Sequence, residues 1–112
     1  MKIASITKNI VYNPDKPDIS ILLESNYSKE IRIAMCKSQV MKEHKAPAPI
    51  VISIFEGEIE FGVQGQKLYL KKGDLIALDA NEPHDLKCLE DCIIRLSLTK
   101  HDSVERVNQV VS

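Results

Sequence analysis

The sequence contains no tryptophan and few aromatic residues of any kind, which make up 4% of its 112 residues. It also lacks an excess of charge, since 15 lysines and arginines face 16 aspartates and glutamates. With no basic stripe and no indole to stack on bases, nucleic-acid binding is disfavoured. Apolar residues at 44% and charged residues at 28% are typical of a folded globular chain. At this length we predict one domain over residues 1–112.

Long apolar segments are also missing. The longest uncharged stretch, Ala46 to Phe55, is far shorter than the ~20 residues of a membrane span, and no signal-peptide core follows Met1. We therefore predict a cytoplasmic protein with no membrane partner. An odd number of cysteines (Cys36, Cys88 and Cys92) agrees with reduced thiols.

Short strand patterns fill the middle of the chain. Apolar and polar residues alternate over 19–24 and 31–36, and Ile50 to Phe55 is rich in β-branched residues. Further strands are predicted over 59–63, 68–70, 75–78, 84–88 and 92–98, with turns at 56–58 and 89–91. About eight strands at this spacing predict an all-β sandwich or barrel.

Both ends of the chain are ambiguous. Ile3, Ile6 and Ile10 fit a helical stripe or an edge strand. Asp102 followed by Glu105 resembles a capping box, which favours a short C-terminal helix. The valines that follow are weak helix formers, so the pattern leaves that helix open.

Two segments resemble the sequence motifs of the cupin superfamily. His44 to Gly57 resembles the first motif, which runs His-x-His, three or four residues, Glu, six residues, Gly. Gly73 to His84 resembles the second, which runs Gly, five residues, Pro-x-Gly, two residues, His. With the flanking strands the match extends over about 19–98. The resemblance implies a single antiparallel jelly-roll barrel.

The departures from these motifs concern the metal site. In metal-binding cupins the two histidines and the glutamate of the first motif and the histidine of the second hold one metal ion. Here the resemblance leaves His44 and His84 as candidate ligands, whereas Ala46 and Ile50 replace the second histidine and the glutamate. Any divalent metal is therefore expected to be weakly held. Asn81 replaces the glycine of the second motif and can adopt its left-handed backbone.

Two alignments of the first motif are open. A three-residue spacer places His44 at the first ligand position, and a four-residue spacer places Glu43 and Lys45 at the two histidine positions. We favour the first, because a lysine inside an apolar barrel is costly without a partner. It predicts the His44 and His84 rings within about 6 Å of each other, since two imidazoles that share a ligand or metal must lie this close. The alternative is two unrelated buried histidines. His101 is interpreted as a surface residue.

Other reactive side chains give weaker signals. Cys88 and Cys92 flank a predicted turn, and we favour two small core residues over a redox pair. Arg95 interrupts an apolar strand and points away from the neighbouring Ile94 and Leu96. There it makes an ion pair at the rim or an interface, or holds a substrate carboxylate. No nucleophile elbow, Cys-x-x-Cys or phosphate loop is present.

The sequence leaves the function open, because a fold alone does not fix it. We favour a small-molecule-binding cupin of unknown ligand, with a mostly apolar pocket lined by Ala46 and Ile50 and oriented by His44 and His84. The alternative is a metal-dependent oxygenase or isomerase, and a purely structural module is a third. A homodimer fits all three, with Val51, Phe55 and Phe61 as candidate apolar surface.

The patterns also predict the core and two turns. The largely buried side chains are expected to include Ile52, Ile54, Leu75 and Leu96. Gly57 and Gly73 are expected at turns, where a Cβ is often strained.

Overall fold

The structure, a computed structural model, describes residues 1–111. It contains seven strands and, at its C-terminal end, one helix in that range. In chain order the elements are β1 (Asp18–Glu24), β2 (Ser28–Met35), β3 (Val40–His44), β4 (Ile50–Val63), β5 (Gln66–Lys71), β6 (Leu75–Leu78), β7 (His84–Thr99) and α1 (Val104–Val111). All pairings are antiparallel, which confirms the predicted all-β jelly-roll class.

The two longest strands, β4 and β7, organise the sheet. They pair with each other. Each of them also pairs with two shorter strands, one along each half of its length. β7 pairs with β3 near its start and with β2 near its end, whereas β4 pairs first with β6 and then with β5. Because both strands bend midway, the sheet curves around a core.

The predicted turns at 56–58 and 89–91 are wrong. β4 and β7 continue through them, and the pairing between the two strands shifts register at Glu56 and Glu58 instead. Gly57 has φ +84° inside β4, and a Cβ at this position would collide with the backbone carbonyls of Glu90 and Asp91. Such bulges bend a strand without ending it. Gly73, with φ +94°, does lie at a turn, between β5 and β6.

The core prediction holds for three of its four residues. Ile52, Ile54 and Leu96 are 5% exposed or less. Leu75 is 66% exposed, so its predicted burial is wrong. It pairs with Ser53 on the outer face of the sheet. All four residues of β6 are apolar, so the sequence shows no alternation from which its inward face could be assigned.

The C-terminal helix is present, and the N-terminal segment forms neither the helix nor the strand that its isoleucines suggested. Ser103 caps α1 by accepting the N–H of Arg106. The helix packs its valines into the core, among them Val107 at 1% exposure. This packing of the valines compensates for their weak helix propensity, because tertiary packing supplies most of a helix's stability.

The proposed dimer surface needs one correction. Val51 and Phe55 are partly exposed, at 37% and 38%, but Phe61 is fully buried in the core. Phe61 lies on the inward face of β4 because the bulge at Gly57 changes the strand's parity between the two positions. Within residues 1–111 no helix is long and apolar enough to cross a membrane.

Candidate functional site

The barrel encloses a small apolar cavity next to His44 and His84. Its volume is about 20 Å³. The walls are mainly aliphatic side chains from β2, β3, β4 and β7, and α1 closes one side with Arg106 and Val107. A volume of this size holds about one water molecule.

Strand pairing places the two histidines together. His44 ends β3 and His84 begins β7, and the two are directly paired residues of the ladder. Their ring centres are 4.2 Å apart, with the planes at 61°. The separation is within the distance of about 6 Å expected from the three-residue alignment. Glu43 and Lys45, which the other alignment placed at the site, are exposed.

Backbone carbonyls fix the tautomer of both rings. The Nδ1 of His44 lies 2.6 Å from the carbonyl oxygen of Lys42, and the Nδ1 of His84 lies 2.8 Å from that of Glu82. A carbonyl oxygen only accepts, so each Nδ1 carries the proton. In a neutral imidazole the remaining Nε2 is then an acceptor. Within residues 1–111 no protein group donates to either Nε2.

Both rings are held in the neutral form. Burial lowers the pKa of His44 below its ordinary value of 6.5, and the neighbouring His84 and Arg106 lower it further against the opposing effect of the Lys42 carbonyl. Burial lowers the pKa of His84 in the same way, aided by the Arg106 charge. At neutral pH the site therefore presents two hydrogen-bond acceptors and no histidine charge.

The other two predicted site residues differ in position. Ile50 is 3% exposed and lines the cavity. Ala46 is also buried, at 2%, but it is not among the residues that line the cavity. Its carbonyl instead accepts the N–H of Asn81, whose φ of 64° confirms the expected left-handed backbone.

Sequence reasoning missed Arg106. This residue lines the cavity, and its guanidinium makes two hydrogen bonds to Asp102, from Nε at 2.7 Å and from Nη2 at 2.8 Å. The Asp102 side chain is fully buried. An acidic residue four positions before a basic one is typical of an ion pair on a helix. The spacing of Asp102 and Arg106 was therefore the signal in the sequence that could have indicated this pair.

The donor set does not fit the metal ion that the resemblance implies. Ala46 and Ile50 offer no ligand atoms, and among residues 1–111 no group of three or more histidine, cysteine or acidic side chains is placed to hold a metal. The rings are also closer than the ring centres of two histidines on one tetrahedral zinc, which lie about 5 Å apart given its bond lengths.

The other candidate residues lie outside this cavity. Cys88 and Cys92 are both fully buried and unbridged, as expected for core residues. The predicted turn between them is absent, and Cys88 donates to the carbonyl of Glu90 at 2.9 Å. Arg95 points outward and pairs with Glu30 at 2.8 Å. His101 is exposed, as predicted.

Comparisons with known proteins give the fold. No protein-family model and no curated protein matches the sequence. Among solved structures, an RmlC-like cupin from Desulfovibrio desulfuricans is 17% identical, with a TM-score of 0.77 over 88% of this chain and 96% of that one. A double-stranded β-helix protein from Klebsiella pneumoniae is 22% identical, with a TM-score of 0.76 over 88% and 89%.

A further RmlC-like cupin, from Shewanella frigidimarina, is 18% identical, with a TM-score of 0.73 over 83% of this chain and 82% of that one. At these identities the likeness concerns the fold, and it extends over most of each chain. It agrees with the antiparallel barrel described above. The chain therefore has the jelly-roll fold of these RmlC-like cupin structures.

Proposed function

We propose that the protein is a metal-independent binding module that takes a small hydrogen-bond donor inside the barrel, at His44 and His84. The observation that carries this proposal is the pair of Nε2 acceptors beside a cavity whose other walls are aliphatic apart from Arg106. Small-molecule sites combine apolar walls with a few fixed polar groups in this way. A ligand with two adjacent donor groups satisfies both rings at once.

The small volume of the cavity limits what enters without a structural change. At about 20 Å³ it excludes anything much larger than water. Of its walls, α1 is the element at the C-terminal end of the chain, and it contributes Val107 and Arg106. A larger ligand requires one of these walls, for which we propose α1, to shift outward, and binding then costs the free energy of that movement.

The metal-dependent enzyme is less favoured. An oxygenase or isomerase of this type needs at least a third ligand for its metal. Among residues 1–111 no third histidine, cysteine or acidic side chain joins the two imidazoles as a possible ligand, and the nearby Arg106 guanidinium repels a cation. The same guanidinium does not disfavour a neutral donor.

Catechol tests the proposal, because its two adjacent hydroxyls can donate to both Nε2 atoms. Its dimethyl ether, veratrole, keeps the ring and both oxygens but has no donor. We expect catechol to bind the wild-type protein at least about tenfold more tightly than veratrole in calorimetry, the difference that one or two hydrogen bonds provide. Chelator in the buffer should leave the affinity unchanged.

Two variants distinguish the site from the rest of the protein. The double variant His44→Ala, His84→Ala should lose the preference for catechol, and the milder His84→Gln guards against a folding defect. Val107→Ala, which enlarges the cavity, should tighten binding of both compounds. Equal affinity for catechol and veratrole, or undiminished catechol binding by the double variant, would contradict the proposal.

A further inference from the structure

A second concave surface lies on the outside of the barrel, where the N-terminal segment crosses the sheet. It is an open groove of about 380 Å³. Ala4 and Ile6 form one part of its wall, and Leu22, Leu23 and Phe55 form another. This volume and this apolar lining are typical of sites for small organic molecules, whereas the barrel cavity is far smaller.

Arg95 gives the groove a fixed polar group. Its Nε and Nη2 both donate to Oε1 of Glu30, at 2.9 and 2.8 Å. Glu30 is itself buried and also accepts the hydroxyls of Ser28 and Ser97. The carboxylate is therefore fully engaged, and it holds the guanidinium in place. A guanidinium has five N–H groups, so the Nη1 end of Arg95 remains for another acceptor.

A second guanidinium, that of Arg32, lies on the same outer face. Arg32 lies directly opposite Arg95 on the neighbouring strand, and it is 4% exposed. Its guanidinium donates only to the carbonyls of Ile6, Lys8 and Asn9 in the N-terminal segment. Within residues 1–111 no carboxylate forms an ion pair with Arg32, and its Nε is buried without a partner.

We propose that this outer groove, between the N-terminal segment and the sheet, binds a small amphipathic monoanion. The anionic head lies at the Nη1 end of Arg95, and the apolar body lies along Phe55 and Leu22. The Nη1 end of Arg95 offers donors and a positive charge that an anionic head complements, and the two directly opposite arginines are otherwise unfavourable to each other. The site is separate from the barrel cavity and does not depend on its function.

Octanoate and octan-1-ol test the charge recognition, because they share a body and differ in the head. By calorimetry we expect octanoate to bind at least about tenfold more tightly than the alcohol, as a hydrogen-bonded charge pair provides. Arg95→Gln should bind octanoate and the alcohol with similar affinity. Lys87→Gln, a matched loss of an exposed positive charge on the same strand, should keep it.

Since Arg95→Gln leaves Glu30 without its partner, a second variant and a second measurement guard against misfolding. Phe55→Ser should weaken the binding of both ligands by a similar factor and keep the ratio of their affinities.

Amide NMR spectra of the wild-type protein locate the site. Octanoate should shift the amide signals of Leu22, Leu23 and Phe55. Equal binding of octanoate and octanol, or shifts confined to Met41 and Leu86 of the barrel cavity, would overturn the proposal. So would a dimer in sedimentation that binds neither compound, because a second copy would then cover this face.

Discussion

His44 and His84 are directly paired across β3 and β7, and each ring donates its Nδ1 proton to a backbone carbonyl two residues before it. The same local geometry at both positions leaves both Nε2 atoms as acceptors. Two acceptors cannot satisfy each other, so a donor between them stabilises the site. The barrel thus retains an arrangement suited to hydrogen bonding although two of the four motif ligands are missing.

The histidine pair makes stability depend on pH. The pKa values of His44 and His84 lie below the 6.5 of an unfolded histidine, mainly because of burial. As pH falls below about 6.5, the unfolded chain takes up protons first, and the free energy of unfolding decreases until the folded pKa values are passed. Urea denaturation at pH 7.5 and 5.5 should show this loss.

A double variant provides the control for that measurement. His44→Gln, His84→Gln should reduce the loss between the two pH values, and His101→Gln removes a histidine outside the cavity. A double variant as sensitive to pH as the wild type would mean that other groups cause the effect.

Alanine variants of Ile54 and Leu75 test which side chains of the sheet face the core. Ile54 is 2% exposed, so Ile54→Ala should cost about 2–5 kcal/mol through lost burial and a cavity. Leu75, at 66% exposure, should change stability by no more than about 0.5 kcal/mol when replaced by alanine. Chemical denaturation measures the free energy of unfolding of both variants. Similar losses would mean that the inward face of one of these strands is wrongly assigned.

Alanine variants of Gly57 and Gly73 distinguish the loss of stability caused by backbone strain from the loss caused by steric contact. Both have positive φ, but a Cβ on Gly73 meets nothing within 4 Å, whereas one on Gly57 collides with the carbonyls of Glu90 and Asp91. Gly73→Ala should cost about 1 kcal/mol from backbone strain alone. Gly57→Ala should cost about 1–3 kcal/mol more, because packed backbone must move. Equal thermal shifts for the two variants would argue against the paired bulge.

Asp102 tests how α1 is held. Its side chain is fully buried against Arg106, which is 18% exposed. Asp102→Asn leaves a mostly buried guanidinium without its charge partner, which should cost about 3 kcal/mol. Glu60→Gln, which breaks a more exposed pair with Lys67, should have a much smaller effect in the same thermal unfolding assay. A loss no greater than that of the control would mean that valine packing alone holds the helix.

The strand patterns and motif spacing were sufficient for the fold and for His44 and His84. They were insufficient where one residue's backbone decides the geometry. The bulge at Gly57 depends on its close approach to β7, a long-range contact that the segment's composition cannot show, so two continuous strands were divided into four. Arg106 was missed because its position at the cavity depends on how α1 packs, and the uniform apolar run of β6 concealed the outward side of Leu75.

The central claim is that His44 and His84 present two unprotonated Nε2 atoms that bind a donor and no metal. Long-range proton–nitrogen NMR of the histidine side chains, recorded with and without chelator and then with catechol, tests it most directly. The account predicts the Nδ1–H tautomer for both rings at pH 7.5, no change on chelation, and a shift of both Nε2 signals with catechol. Nε2 signals that move when a chelator removes metal, or an Nε2–H tautomer on either ring, would contradict it.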